Sequence, residues 1–220
     1  MSTEVIKQAA GLTRFFPCEV DADRETVLMD RVHELRFQIY CLEQGFLDAI
    51  DYPDGAESDH HDSHSYHFAS CDDDGEVAGY VRLVLADAIG TFPFQNHCLS
   101  LHPDTRLPSA DQSAEISRLM VRACHRREPD RSPEILCGLF RQMYECSVQQ
   151  GVRYWYAAME RSLVRVLQRM LRIEFQQIGP VTDYYGPVAP YLIDLREIES
   201  RLTVERPDLF QNVRVSAMCA

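Results

Sequence analysis

The stretch YHFASCDDDGEVAGYVRLVLA, residues 66–86, reads as two strands around one turn. Tyr66–Cys71 and Val77–Ala86 are short and rich in aromatic and β-branched residues. Between them DDDGE carries Asp74-Gly75, a hairpin signal because glycine takes the positive φ that a tight turn needs. Working outward, Ala114–Ala123 (AEISRLMVRA) is a further strand. A helix follows, with Ser132 as N-cap, Pro133 at its first position and Gly151 closing it. Val152–Met159 then reads as a strand, Arg161–Arg172 as an amphipathic helix, Glu174–Ile178 as a strand, and Tyr191–Leu195 as the last strand before a short polar helix. Upstream, Asp23 to about Gln44 is helical: Val27, Leu28, Val32, Leu35 and Ile39 recur at three- and four-residue steps, and Gly45 stops the run. Residues 87–112 read as irregular, with Pro93, Pro103 and Pro108. This order predicts one α/β (α+β) domain over residues 1–220. Its single mixed sheet is antiparallel at the start and carries helices on both faces, with a core over about 23–195 and a C-terminal tail over 196–220.

Composition excludes several classes. The chain has 220 residues, 45% hydrophobic and 25% charged, which suits a globular protein and not a disordered or collagenous one. The best apolar run, Val77–Ala86, is too short to span a membrane and contains Arg82. The start, MSTEVIKQAAGLTRFF, has neither the apolar core nor the cleavage site of a secretory signal. Cys18, Cys41, Cys71, Cys98, Cys124, Cys137, Cys146 and Cys219 are scattered without a CxxC pair, so reduced, mostly buried thiols in a cytoplasmic protein are expected, and no structural zinc.

Charge is uneven. Residues 1–114 carry 7 basic and 21 acidic groups, whereas residues 115–172 carry 11 arginines and 6 acids, within a total of −12. So acidic a chain is a poor general nucleic-acid binder. The basic block, with Arg122, Arg126, Arg127 and Arg131, is either a solvated face or a docking patch for a small acidic partner.

Two segments hold chemistry-bearing side chains. In ESDHHDSHSYH, residues 57–67, three readings stand: a metal site built from His60, His61, His64, His67, Asp59 and Asp62, a wet surface loop, or acidic groups turned toward a substrate. In Glu115-Ile116-Ser117-Arg118, strand alternation puts Glu115 and Ser117 on one face and Arg118 on the other. If both charged groups act together, a bulge must turn one of them; otherwise they are rim charges. Arg82 lies in an apolar strand and requires a carboxylate from Asp59, Asp62 or Glu115. GxSxG, GxGxxG and GxxxxGKS are all absent, and Cys41 or Cys124 beside a histidine is the sole thiol option.

Four motifs occur in order: Arg36-x-x-x-Tyr40, Glu57-x-Asp59-x-x-Asp62, Gly79-x-x-Arg82 and Glu115-x-x-Arg118. The series resembles that of the acyl-homoserine-lactone autoinducer synthases and, more closely, the N-acyl amino acid synthases. YCLEQGF, DYPDGAESDHHD, GYVRLVL, AEISRLMV and CHRR, with WYAAMERSLVRVL and IGPVTDYYGPVAPY, resemble the acyltransferases associated with PEP-CTERM/exosortase systems. The resemblance covers about residues 30–195. It implies a GNAT-like N-acyltransferase fold and transfer of a fatty acyl chain from an acyl carrier protein to the amine of an amino acid or similar small molecule. No bound cofactor is implied, since acyl-phosphopantetheine arrives on the donor, carrier protein or CoA, and no metal. A monomer or homodimer is expected. Implied catalytic residues are Glu115, as proton acceptor, with Arg118, Arg36, Asp59, Asp62 and Arg82. Tyr40, Phe46, Leu119, Met120 and Val121 would bind substrate, with backbone N–H groups near Leu119–Val121 polarising the thioester. Arg122, Arg126, Arg127 and Arg131 would dock the carrier protein. The chain departs from its relatives at three places. Phe46 stands where autoinducer synthases have tryptophan, which weakens the S-adenosylmethionine and lactone alternative. ACHRREPDRS replaces the RxxGxG/A pyrophosphate loop, which favours a carrier-protein donor over free CoA. Tyr184-Tyr185-Gly186 stands in place of Tyr-His-Gly. A non-catalytic carrier-binding module of the exosortase system is the reading from another class.

Overall fold

The computed structural model describes residues 14–21, 26–96, 100–172 and 174–205. In chain order these form β1 (Phe16–Val20), α1 (Thr26–Phe37), β2 (Ser65–Cys71), β3 (Val77–Leu85), α2 (Pro93–Asn96), β4 (Ser113–Val121), α3 (Ala123–Arg126) and α4 (Arg131–Gln150). There follow β5 (Tyr154–Glu160), α5 (Arg161–Leu171), β6 (Gln176–Gln177), β7 (Thr182–Asp183), β8 (Pro187–Asp194) and α6 (Leu195–Glu205). The eight strands make one mixed sheet in the order β1-β2-β3-β4-β5-β8-β6, with β7 also on β8. β1 to β4 are antiparallel, β4 and β5 are parallel, and β5 and β8 antiparallel.

The hairpin closes as its residues dictate. Gly75 takes φ +77°, and the Asp72 carboxylate accepts from the N–H groups of Asp74 and Glu76 at 3.0 and 2.9 Å. Alternation along β3 then divides two cores. Val81 and Leu83 join the core under α4 and α5, built from Ile135, Leu139, Met143, Val164 and Leu167. Tyr80 joins the core under α1, with Met29, Val32 and Leu35. Arg82, two residues from Tyr80, therefore points to the α1 side. Gly79 is needed where α4 crosses the sheet, because a Cβ there would lie 2.5 Å from Ile135 Cγ2.

Several elements differ from expectation. The first helix is described from Thr26, and Val27, expected on its apolar face, is 67% exposed. From Gln38 to Glu43 the helix widens into a π turn, closed by the Gln44 N–H donating to the Ile39 carbonyl at 3.0 Å. α4 starts at Arg131, so Ser132 lies inside it, and Asp130 at the cap position makes no side-chain capping bond. The strand expected over 174–178 shrinks to Gln176–Gln177, while the last one lengthens to Pro187–Asp194. The short strand β1 had no sequence signal, having Pro17 at its second position. Buried side chains extend past the span 23–195: Phe15 and Val20 lie before it, and Ile198 of α6 after it. Of the described cysteines, Cys41 and Cys146 are buried, Cys124 is exposed and none of the six forms a disulfide; Cys98 and Cys219 lie outside the described residues. Among the described residues no helix is long and apolar enough to cross a membrane.

Candidate active site

β4 and β5 are paired only where Ser113–Glu115 meets Tyr154–Tyr156. Beyond that point both strands continue unpaired with each other, to Val121 and to Glu160, and the sheet opens into a cleft of about 480 Å³. Glu115, Ser117, Arg118 and Leu119 line one wall, Ala158, Met159 and Glu160 the other. Tyr40, Phe46, Tyr52, Tyr184 and Tyr185 crowd its sides. A neighbouring, largely apolar pocket of about 300 Å³ shares Tyr40, Phe46, Leu119 and Leu163 with it, and runs over Met120, Val121 and Leu136.

The bulge that the spacing of Glu115 and Arg118 demanded is present. Tyr80 pairs with Met120 and Arg82 with Ser117, two steps on β3 against three on β4. Arg118 absorbs the difference at φ +56°, a left-handed conformation that costs a non-glycine residue about 1–2 kcal/mol. The turn brings its guanidinium to the side that Ser117 and Arg82 already face, where Arg82 Nη2 donates to Ser117 Oγ at 3.2 Å.

There the charges form a closed ring. Arg36 donates to Glu57 at 2.6 and 3.0 Å and to Asp62 at 2.7 Å. Arg82 donates to Asp59 at 2.6 and 2.9 Å and to Asp62 at 2.5 Å. Arg118 donates to Glu57 at 3.1 and 3.0 Å and to Asp59 at 2.9 Å. Each arginine thus bridges two carboxylates and each carboxylate two arginines. Alternation is what makes burial tolerable, since an unpaired charge at this depth is far costlier than the pair is favourable. Burial alone would raise Glu57, Asp59 and Asp62, but the arginine bonds and charges overcome it and hold all three below the usual carboxylate range. Behind the ring, His67 Nε2 lies 3.0 Å from the Asp62 carbonyl, which can only accept, so His67 Nδ1 accepts from the Tyr80 hydroxyl at 2.7 Å. Burial keeps His67 neutral by lowering its pKa.

Glu115 stands apart from the ring. Its carboxyl is buried on the cleft wall and accepts one bond, from the Phe94 N–H at 2.8 Å. Burial pushes it up to about 8, against the opposing pull of that bond and of Arg82 and Arg118. It is therefore largely protonated at pH 7 and ionises on the alkaline side. The Phe94 backbone is held by packing: Phe92 and Phe94 sit 5.1 and 4.9 Å from the Tyr156 ring.

Of the residues singled out from sequence, Glu115, Arg118, Asp59, Arg82, Tyr40, Phe46 and Leu119 line the cleft. Arg36 and Asp62 complete the ring behind its wall, and Met120 and Val121 line the neighbouring pocket. The carboxylates of the loop at 57–62 turn inward onto arginines. Among the described residues no group of three or more His, Cys, Asp or Glu is placed to hold a metal. Burial lowers His61 to about 4, with a further push from His60. Cys41 is buried with its thiol raised by burial, and neither it nor Cys124 lines the cleft. Arginines of the basic block are partly neutralised: Arg126 pairs with Glu43, Arg131 with Glu128 at 2.7 Å, and Arg122 donates to the Val77 carbonyl at 2.8 Å. Arg127 is exposed. Sequence reasoning gave no role to Glu57, yet three arginines in an acidic loop's reach call for three carboxylates. It also assigned nothing to Tyr184 and Tyr185, which complete an aromatic wall in which Phe46 lies 5.7 Å from Tyr40 and 5.8 Å from Tyr185.

Known proteins share this architecture. The AHL synthase LasI superposes with a TM-score of 0.65 at 16% identity, over 84% of this chain and 91% of its own. The CoA-dependent acyl-homoserine lactone synthase BjaI, in a structure with SAM and isopentyl-CoA, gives 0.65 at 16%, over 93% and 100%. FeeM, an N-acyl amino acid synthase from uncultured soil microbes, gives 0.51 at 13%, over 86% and 95%. Among curated proteins none gives a significant sequence match. Residues 35–132, which carry the ring and Glu115, match the model of the acetyltransferase (GNAT) domain, and with the strand order above the chain has the GNAT fold.

Proposed function

We propose that this protein is an N-acyltransferase that moves a fatty acyl chain from a thioester donor to the amine of an amino acid or a similar small molecule. The observation that carries this reading is the cleft at the β4–β5 splay, with one buried carboxyl on its wall and an apolar branch beside it. The amine nitrogen attacks the thioester carbonyl carbon; the C–N bond forms, the C–S bond breaks, and the thiolate leaves. Ionised Glu115, directly or through water, takes the proton that the nitrogen sheds and passes it to the departing sulfur. Arg118 and Leu119 have no partner positions on β3, so the backbone of the bulge faces the carbonyl oxygen that must be polarised. The apolar branch shelters the acyl chain, at about 0.8 kcal/mol per buried methylene.

A carrier-protein donor is supported by the missing pyrophosphate loop and by the basic block. Motif resemblance supports a role beside a PEP-CTERM/exosortase system, and eight scattered cysteines without a CxxC pair support a cytoplasmic location. The second reading, a lactone-forming synthase using S-adenosylmethionine, draws support from LasI and BjaI, and Phe46 at the tryptophan position weighs against it. Mass analysis of products from acyl-ACP or acyl-CoA, offered with amino acids or with S-adenosylmethionine, separates the two. Absence of any N-acyl product would leave a non-catalytic carrier-binding module.

A further inference from the structure

We propose that the acyl acceptor is an aromatic or apolar amine whose carboxylate is absent or masked, because both arginines of the cleft are already balanced by the carboxylates of the ring. This rests on the N-acyltransfer reading and narrows it.

Arg82 and Arg118 are the arginines lining the cleft, and both belong to the ring, in which three guanidinium groups balance Glu57, Asp59 and Asp62. Arg82 is 1% exposed and turned inward. Arg118 uses Nε and Nη2 within the ring, which leaves Nη1 to donate to a neutral oxygen. The other carboxyl groups lining the cleft are Glu115 and Glu160. A free acceptor carboxylate would face Glu160 and, in the active form, ionised Glu115, and would have Arg118 Nη1 as its guanidinium donor with no positive charge left over from the ring to balance it. An amine without that carboxylate meets neither cost. The walls fit it: Tyr40, Phe46, Tyr52, Tyr184 and Tyr185 offer ring faces to an apolar body or to an ammonium group.

The test compares tyramine with tyrosine and phenylalaninamide with phenylalanine, each rate expressed per concentration of neutral amine, using one long-chain acyl-ACP or acyl-CoA donor. Thiol release and the mass of the N-acyl product are both read. The carboxylate-free member of each pair should have a kcat/KM at least ~10-fold higher, the scale of one uncompensated charge in a partly buried site. Asp59→Asn, which leaves the ring one positive charge in excess, should cut that preference severalfold by favouring tyrosine. Equal or better use of the free acids overturns the proposal while leaving acyl transfer intact. If none of the four amines is acylated and no thiol is released, acyl transfer falls with it.

Discussion

Glu57→Gln is the sharpest perturbation of the ring, because the side chain it alters is fully buried and bridges two arginines without reaching the cleft. Glutamine keeps the volume and one acceptor oxygen, but presents an NH₂ group to a guanidinium and leaves Arg36 and Arg118 with one carboxylate fewer. Breaking a buried pair from one side costs roughly 3–5 kcal/mol. With an unfolding entropy near 2.1 cal/mol/K per residue, a chain of 220 residues melts about 6–11 °C lower for that loss. Thermal unfolding followed by circular dichroism at pH 7 reads this directly. A double-mutant cycle with Arg118→Met assigns it: when both charges are gone, the loss should be smaller than the two single losses together. The pH dependence has a fixed sign. Glu57, Asp59 and Asp62 are held below their unfolded range, so their contribution is complete above about pH 5 and disappears as pH falls toward the depressed folded values. The variant should therefore lose most against wild type near neutrality and least in acid. A melting point within about 2 °C of wild type at pH 7, or strictly additive losses in the cycle, would refute the claim that the ring is a mutually dependent unit.

Glu115→Gln should lower turnover about 10²–10⁴-fold with little change in donor binding, and wild-type turnover would remove Glu115 from the mechanism. Since burial raises this carboxyl to about 8, wild-type kcat should climb through that pH. The same shift makes Glu115 a growing liability to folding from its unfolded range up to about pH 8, so the glutamine variant should melt higher than wild type at pH 8. Arg126→Glu with Arg127→Glu should raise KM for acyl-ACP and spare that for a short acyl-pantetheine, with added salt weakening wild type in the same way; stopped-flow association rates unaltered at low salt would sink the docking patch. Gly79→Ala places a methyl 2.5 Å from Ile135 Cγ2 and 3.2 Å from the Met120 carbonyl. It should cost about 1–3 kcal/mol in chemical denaturation, and a neutral result would mean that α4 yields more easily than its packing implies.

Much of the fold was legible because its signals are local. The hairpin at 66–86 is written in Asp74-Gly75 and in strand alternation, and Gly151 marks the end of α4 by its left-handed φ of 74°. What escaped is non-local. β1 exists because β2 offers it an edge, and nothing in FPCEV announces that. The π turn at Gln38–Glu43 follows a helical apolar pattern that does not distinguish five-residue from four-residue hydrogen bonds. In the site, the need of Arg82 for a carboxylate was readable from its apolar strand. Which carboxylate would meet it was not, because Asp59 and Asp62 arrive from a loop 20 or more residues away while Glu115, on the adjacent strand, is taken by the Phe94 N–H.

Arg118 is where the two halves of the site become one. Its backbone makes the bulge in β4, beside which the cleft wall begins, and its side chain bonds Glu57 and Asp59, which belong to the 57–62 loop. A left-handed arginine would relax into a regular strand if its guanidinium were free, because alternation would then carry the side chain to the opposite face. The ring prevents that: three charge-assisted bonds, each stronger than a neutral one, offset a conformational cost of about 1–2 kcal/mol. The bulge in turn fixes where Leu119 meets the cleft. The arrangement of the 57–62 loop and the geometry of the cleft wall are therefore set together, through one residue.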